Sequence, residues 1–260
     1  MLQQPKIEDL IELAKKSGSI LKEGYGKQHE IKHKGIIDLV TEIDKESETF
    51  LIQEIQEHYP GHRIIAEENG EINGQNDHCW YIDPLDGTVN FAHNIPIFAV
   101  SIAYVENGDI KLGVVYDPMR DECFSAEEGN GAYLNSKELN VSKTDELINS
   151  LLVTGFPYIM DDPVNNNLDR FAHMSLKTQG VRRLGSAALD LCYVAAGRFD
   201  GFWEIGLSPW DIAAGSLIVR EASGVVTRLD NIEDILERPC QIVTANKKLY
   251  PKLMNELKLI

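Results

Sequence analysis

The sequence predicts an α/β protein with a strand-rich first half and a second half in which strands and helices alternate. Three observations point there. The 260 residues suffice for one large α/β domain or two closely packed ones. From residue 62 to about 142, the runs RIIAEE, CWYID, IPIFAVSIAYV, IKLGVVYDP and DECFSAEE alternate with turn-rich ENGD and EEGNGAYLN, the pattern of an antiparallel sheet. Beyond residue 150, strand-like LLVTGF and GVRRL are interleaved with helical NNLDRFAHMSLKT, AALDLCYVAAGRF and SPWDIAAGSLIVREASG.

The elements follow in order. Ile7, Leu10, Ile11, Ala14 and Leu21 recur at helical spacing and predict an amphipathic first helix ending near Gly24. The polar stretch QHEIKHKGI (28–36) and then IDLVTEID come next, after which Phe50, Leu51, Ile55 and Tyr59 predict a second helix stopped by Pro60-Gly61. Strands dominate until a soft boundary near 145, which divides an N-terminal subdomain (1–145) from a C-terminal one (146–260). No linker or repeat marks that boundary, so the two are expected to pack as one unit.

Composition narrows the function. A formal net charge of −16 disfavours nucleic acid and anionic membranes, both polyanions that need clustered Lys and Arg. No run reaches ~18 apolar residues, and the N-terminal stretch lacks an apolar signal-like core, which together predict a cytoplasmic protein. Cys79, Cys123, Cys192 and Cys240 lie far apart without a CxxC pair, as expected of reduced thiols rather than a zinc site.

The informative stretch is YIDPLDGTVNF (81–91). On a regular strand Asp83 and Asp86 would point to opposite faces, so they converge only if the chain turns between them. Pro84 removes a ladder donor and is expected to end the strand there, leaving the Leu85 carbonyl free to join the two carboxylates. Gly87 permits close backbone approach, and Thr88 can open a short helix facing an anion. A lone Asp-Gly pair is usually just a hairpin turn, but Asp83 sits in an apolar strand, where an acid is costly to bury without a partner. Two adjacent carboxylates also raise each other's pKa unless a cation neutralises them. Hard oxygen donors without His or Cys favour Mg²⁺, with Mn²⁺ a substitute, and Mg²⁺ completes its shell with substrate phosphate. Glu67 ends the strand RIIA. Asp211 stands at the third position of a helix with Ser208 as N-cap and Pro209 at its start, so capping and metal binding are equally supported there and compatible.

AEEN, YIDPLDGTVNF and WEIGLSPWDIAAGSLIVREASG together resemble the inositol monophosphatase family, and the similarity extends over most of residues 30–230. The resemblance implies an α/β/α/β/α sandwich, a homodimer, two or three Mg²⁺ per site and inhibition by Li⁺. It implies that Glu67, Asp83, the Leu85 carbonyl, Asp86 and Asp211 hold metal. Asp44, Thr88 and Glu67 would activate the attacking water, and Gly87 and Thr88 would bind phosphate. Gly185, Ser186, Ala187 and Glu204 would contact substrate hydroxyls. Val89 replaces a frequent second Thr, and the lysine often found before DLVT has only His33 and Lys34 as counterparts. The expected reaction is hydrolysis of a phosphate monoester, most simply inositol monophosphate, by direct attack of water without a covalent intermediate. NADP 2′-phosphate, fructose bisphosphate and 3′-phosphonucleotides are alternative substrates on the same site, and a non-catalytic, protein-binding role in the transcription apparatus is the alternative of another class.

The remaining motifs read plainly. His58 and His62 flank Pro60-Gly61, which breaks any helical metal pair, and are expected to be solvated; His29 and His33 read the same way. Arg182 and Arg183 are expected to form a salt-bridged strand, or else to approach an anionic second substituent.

Overall fold

The computed structural model describes residues 2–27, 31–33, 39–157, 166–230, 232 and 234–259. Helix α1 (Ile7–Gly24) is followed by the short antiparallel pair β1 (Ile31–His33) and β2 (Leu39–Thr41), and then by α2 (Glu42–His58). An eight-stranded sheet follows: β3 (His62–Ala66), β4 (Gly70–Ile72), β5 (Gln75–Asp86), then β6 (Ala99–Glu106), β7 (Asp109–Asp117), β8 (Glu122–Glu127), β9 (Ala132–Leu134) and β10 (Lys137–Glu138). Helix α3 (Thr88–Ala92) lies between β5 and β6. The second sheet orders its five strands β12-β11-β13-β15-β14, from β11 (Leu151–Thr154), β12 (Gly180–Arg182), β13 (Gly201–Leu207), β14 (Gly224–Thr227) and β15 (Cys240–Asn246). Its helices are α4 (Leu168–Ser175), α5 (Ala187–Ala195), α6 (Pro209–Glu221) and α7 (Tyr250–Lys258).

Strand alternation builds the layers. On β5, Trp80 and Ile82 face α1 and α2 in one core, while Cys79 faces α5 and α6 in another. Helices α5 and α6 also touch β13, β14 and β15, so they fill the space between the two sheets. A third core, with Met174, Trp203, Val243 and Leu253, seats α4 and α7 on the far side of the second sheet. The result is the expected five-layer α/β/α/β/α sandwich.

Three expectations are corrected. Helix α2 begins at Glu42, two turns before the apolar spacing signals it, because Thr41 and Asp44 form a capping box that starts it early. His62 is 4% exposed rather than solvated: its Nδ1 accepts from Trp80 Nε1 at 3.0 Å, and its ring stacks on His78. Arg182 and Arg183 are exposed and form no ion pair among the described residues. Residues 28–30 and 34–38, including His29 and Lys34, and 158–165 lie outside the described residues. All four cysteines are buried and unpaired.

Candidate active site

Pairing of β5 with β6 places Asp83 opposite Ser101 and Asp86 opposite Ala99, so two residues, Pro84 and Leu85, stand against the single Val100. This is a β-bulge, and it turns both carboxylates to the face that packs on α5 and α6. The expectation that Pro84 ends the strand is therefore corrected, for pairing resumes at Asp86. The extra residue absorbs a proline that has no N–H to donate. Ser47 of α2 donates to the Pro84 carbonyl at 3.1 Å, tying the bulge to the helix below.

Each acid is held by its own element. Asp83 is 2% exposed, and its Oδ1 accepts from the Leu85 N–H at 3.0 Å. Asp86 Oδ2 accepts from the Ser186 hydroxyl at 2.6 Å and the Ala188 N–H at 2.8 Å, both at the start of α5. Asp211 Oδ2 accepts from the Ser208 N–H at 2.7 Å, so this residue caps α6 and also lines the cleft. Glu67 follows β3 directly. These four acids share one cleft with Leu85, Gly87 and Thr88.

The electrostatics show what the cleft lacks. Burial pushes Asp83 well above the usual carboxylate range, and the charges of Glu67, Asp86 and Asp211 push it further. Burial also raises Asp86 to about 6 against the pull of the Ser186 hydroxyl and the α5 backbone N–H groups. Asp211 is raised by burial and then by Asp86, with the Ser208 N–H opposing. Among the described residues that line the cleft, Arg183 is the sole basic side chain. Among the described residues no group of three or more His, Cys, Asp or Glu already stands arranged to hold a metal ion. The donor set nonetheless fits one: hard oxygens only, mutually repelling, and relieved by a divalent cation.

Next to the acids, the Thr88 hydroxyl lies 3.0 Å from Asp44 Oδ1 and 3.1 Å from the Leu85 carbonyl. Asp44 is fully buried, with its Oδ2 accepting from the Thr41 N–H at 2.9 Å and from the Thr41 hydroxyl. Burial raises its pKa while these bonds oppose the rise. The one Thr88 proton has Asp44 and the Leu85 carbonyl as acceptors, and given to either it leaves the hydroxyl oxygen able to accept from a water. Gly87 has φ 102° as N-cap of α3, and a Cβ there would meet the Ile97 carbonyl at 2.9 Å, so the tight approach requires glycine.

On the opposite wall stand Gly185, Ser186, Ala187 and Glu204. The Ser186 hydroxyl turns to Asp86, and Asn90 of α3 donates to the Leu184 carbonyl at 2.8 Å, holding this loop beside the acids. Glu204, on β13, is 8% exposed and raised by burial and by Asp211 and Asp86. Sequence reasoning missed three residues here. Thr41 orients Asp44, and its signal was the T-x-x-D spacing. Gly155 leaves room for Glu204, since a Cβ there would sit 2.0 Å from Oε1. Asp190 lines the cleft from α5, and its signal was an acid within the apolar run AALDLCYVAA.

Known proteins resemble this chain over nearly its whole length. The sequence profile of the inositol monophosphatase family matches residues 3–259. An inositol-1-monophosphatase of Mesorhizobium japonicum is 40% identical over 261 residues, covering 99% of this chain and 98% of the relative. The Nus factor SuhB of Escherichia coli K12 is 46% identical over 226 residues, 86% of this chain and 85% of the relative. The crystal structure of the extragenic suppressor protein suhB from Bartonella henselae superposes with a TM-score of 0.91 at 40% identity, covering 96% of this chain and 97% of that one. With a bulged pair of aspartates, two capping acids at helix starts and a match over nearly its full length, the chain belongs to the inositol monophosphatase family, a family of phosphoric monoester hydrolases.

Proposed function

We propose that the protein is a Mg²⁺-dependent phosphatase that hydrolyses a phosphate monoester by direct attack of water, with inositol monophosphate as its first candidate substrate. The observation that carries this reading is the gathering of Glu67, Asp83, Asp86 and Asp211 in one cleft beside the Asp44–Thr88 pair. Mg²⁺ bound by Glu67, Asp83, the Leu85 carbonyl, Asp86 and Asp211 would supply a nucleophilic water at neutral pH and neutralise charge on the leaving oxygen. Asp44 holds the Thr88 proton, so the Thr88 oxygen accepts from the incoming water and orients it. The backbone of Gly87 and Thr88 faces the phosphate, and Glu204 accepts from the alcohol being released.

Magnitudes support this division of labour. Monoester hydrolysis demands acceleration of up to ~10²¹, roughly 28 kcal/mol. Orientation contributes about 7–11 kcal/mol, so most of the rest must come from electrostatic stabilisation, which the acid cluster can provide only by gathering cations. That requirement also weighs against a purely regulatory role of the kind the name Nus factor suggests for the Escherichia coli relative, because protein binding does not need four mutually repelling acids gathered in one cleft. Glu204 favours a polyol over a bisphosphate, since a carboxylate accepts hydroxyls and repels a second phosphate. The working form is taken as a cytoplasmic homodimer, which light scattering of the purified protein checks.

The test is phosphate release from inositol 1-phosphate, NADP, fructose 1,6-bisphosphate and a 3′-phosphonucleotide, with Mg²⁺, with EDTA and with added Li⁺. Turnover that needs Mg²⁺ and falls with Li⁺ is expected. Asp86→Asn should remove nearly all of it with the fold intact by circular dichroism. Wild-type rates in that variant would defeat the assignment.

A further inference from the structure

Helix α5 raises a question that its packing does not answer. Ala187, Ala188, Leu189, Leu191, Cys192, Tyr193, Val194 and Ala195 are all buried, as suits a helix between two sheets. Asp190 is buried among them, 1% exposed, and its Oδ1 has no hydrogen-bond partner among the described residues. It makes no ion pair among the described residues, although it lines the cleft. An unsatisfied buried acceptor weakens a fold, and an apolar side chain would serve this helix better. A hydroxyl that enters the cleft is a candidate partner for this carboxyl.

The surroundings define its chemistry. Glu204, across from α5 on β13, is close enough for its charge to act on Asp190, and Arg183 acts on both with the opposite sign. Arg183 is exposed, its guanidinium 3.6 Å from where a Cβ of Gly185 would be, at the cleft's rim rather than against Oδ1. Two carboxyls from different elements thus line the same cleft as the metal-binding acids. Such a pair offers several acceptors to hydroxyl donors and repels a second anionic group.

Resting on the phosphatase reading above, we propose that Asp190 is a specificity-determining residue whose carboxyl, with that of Glu204, accepts hydrogen bonds from neighbouring hydroxyls on the alcohol portion of the substrate. The site therefore selects a phosphorylated polyol over an ester whose alcohol carries no free hydroxyl.

The experiment compares inositol 1-phosphate with phenyl phosphate, which has no hydroxyl to offer, using the full chain with Mg²⁺. In Asp190→Ala the KM for inositol 1-phosphate should rise about 10-fold or more with kcat within about two-fold, as for loss of a substrate hydrogen bond, and kcat/KM for phenyl phosphate should stay within about two-fold. The same-sized Asp190→Asn should show the same direction with a smaller rise, and it stands in if the alanine variant fails to fold. Equal losses on both esters, or no change on either, would overturn the proposal and leave Asp190 a structural residue. Wild-type protein that releases phosphate from neither ester would instead overturn the phosphatase reading itself.

Discussion

Gly155 shows how little room the candidate site has. Its missing side chain is the space that Glu204 occupies, so Gly155→Ala forces the carboxylate or the β11 end to move. Overpacking of this kind costs about 1–3 kcal/mol. The expected result is a lowered melting temperature together with at least a several-fold rise in KM for inositol 1-phosphate, whereas an unchanged KM would mean that Glu204 does not touch substrate. His62 makes a second local prediction. Burial, and next the facing His78, lower its pKa to about 4 from the ordinary 6.5. Only the neutral ring is at home there, so the stability it contributes is complete above pH 6.5 and is lost as pH falls toward 4, by up to ~3 kcal/mol. Melting temperatures measured across that window should drop less steeply in His62→Gln than in wild type. Asp83 was legible in the sequence because an acid in an apolar strand demands a reason. Asp190 carries the same signal, but its meaning depends on Glu204, which is distant in the chain and adjacent only after folding.

Two helix starts carry catalytic candidates, and both use a capping box. Thr41 with Asp44 opens α2, and Ser208 with Asp211 opens α6. In each, the capping bond also fixes the direction of a carboxylate: Asp211 lines the cleft, and Asp44 stands behind Thr88, which lines it. Thr41→Val keeps the shape and removes the hydroxyl, which should cost about 1–2 kcal/mol of stability and lower kcat several-fold by loosening Asp44. A loss of stability with full turnover would show that Asp44 needs no such anchor. The second box is legible in SPWD, while the first is hidden because the apolar spacing of α2 becomes regular only from Phe50. The β5 bulge was half legible: the need to bring Asp83 and Asp86 together follows from strand geometry, but a proline that stops a strand and a proline that bulges it look alike until β6 is in place.

The five layers bring the acids together from distant parts of the chain: Glu67 and the bulge from the first sheet, and Asp211 from a helix between the sheets. Their mutual repulsion should be measurable in the whole molecule. Asp86, at about 6 when folded against 3.8 in the unfolded chain, favours its protonated form in the fold. Its stabilising contribution is therefore complete below pH 3.8 and lost as pH rises through about 6, and Asp83 and Asp211 act in the same direction. Protein stripped with EDTA should gain stability at pH 7 when Mg²⁺ is added, by about 2.7 kcal/mol at a hundred times the dissociation constant. Asp83→Asn should melt higher than wild type when stripped and lose most of that gain. No shift with Mg²⁺ in either protein would mean that the cleft does not gather cations. The α/β class, the strand-rich first half, the alternating second half and the candidate acids could all be read from the chain, since periodicity and local charge placement act over a few residues. The five-layer stacking, the bulge that aligns Asp83 with Asp86, the burial of His62, the fit of Gly155 against Glu204 and the unpartnered carboxyl of Asp190 were decided by tertiary structure, because each depends on groups that only packing brings within reach.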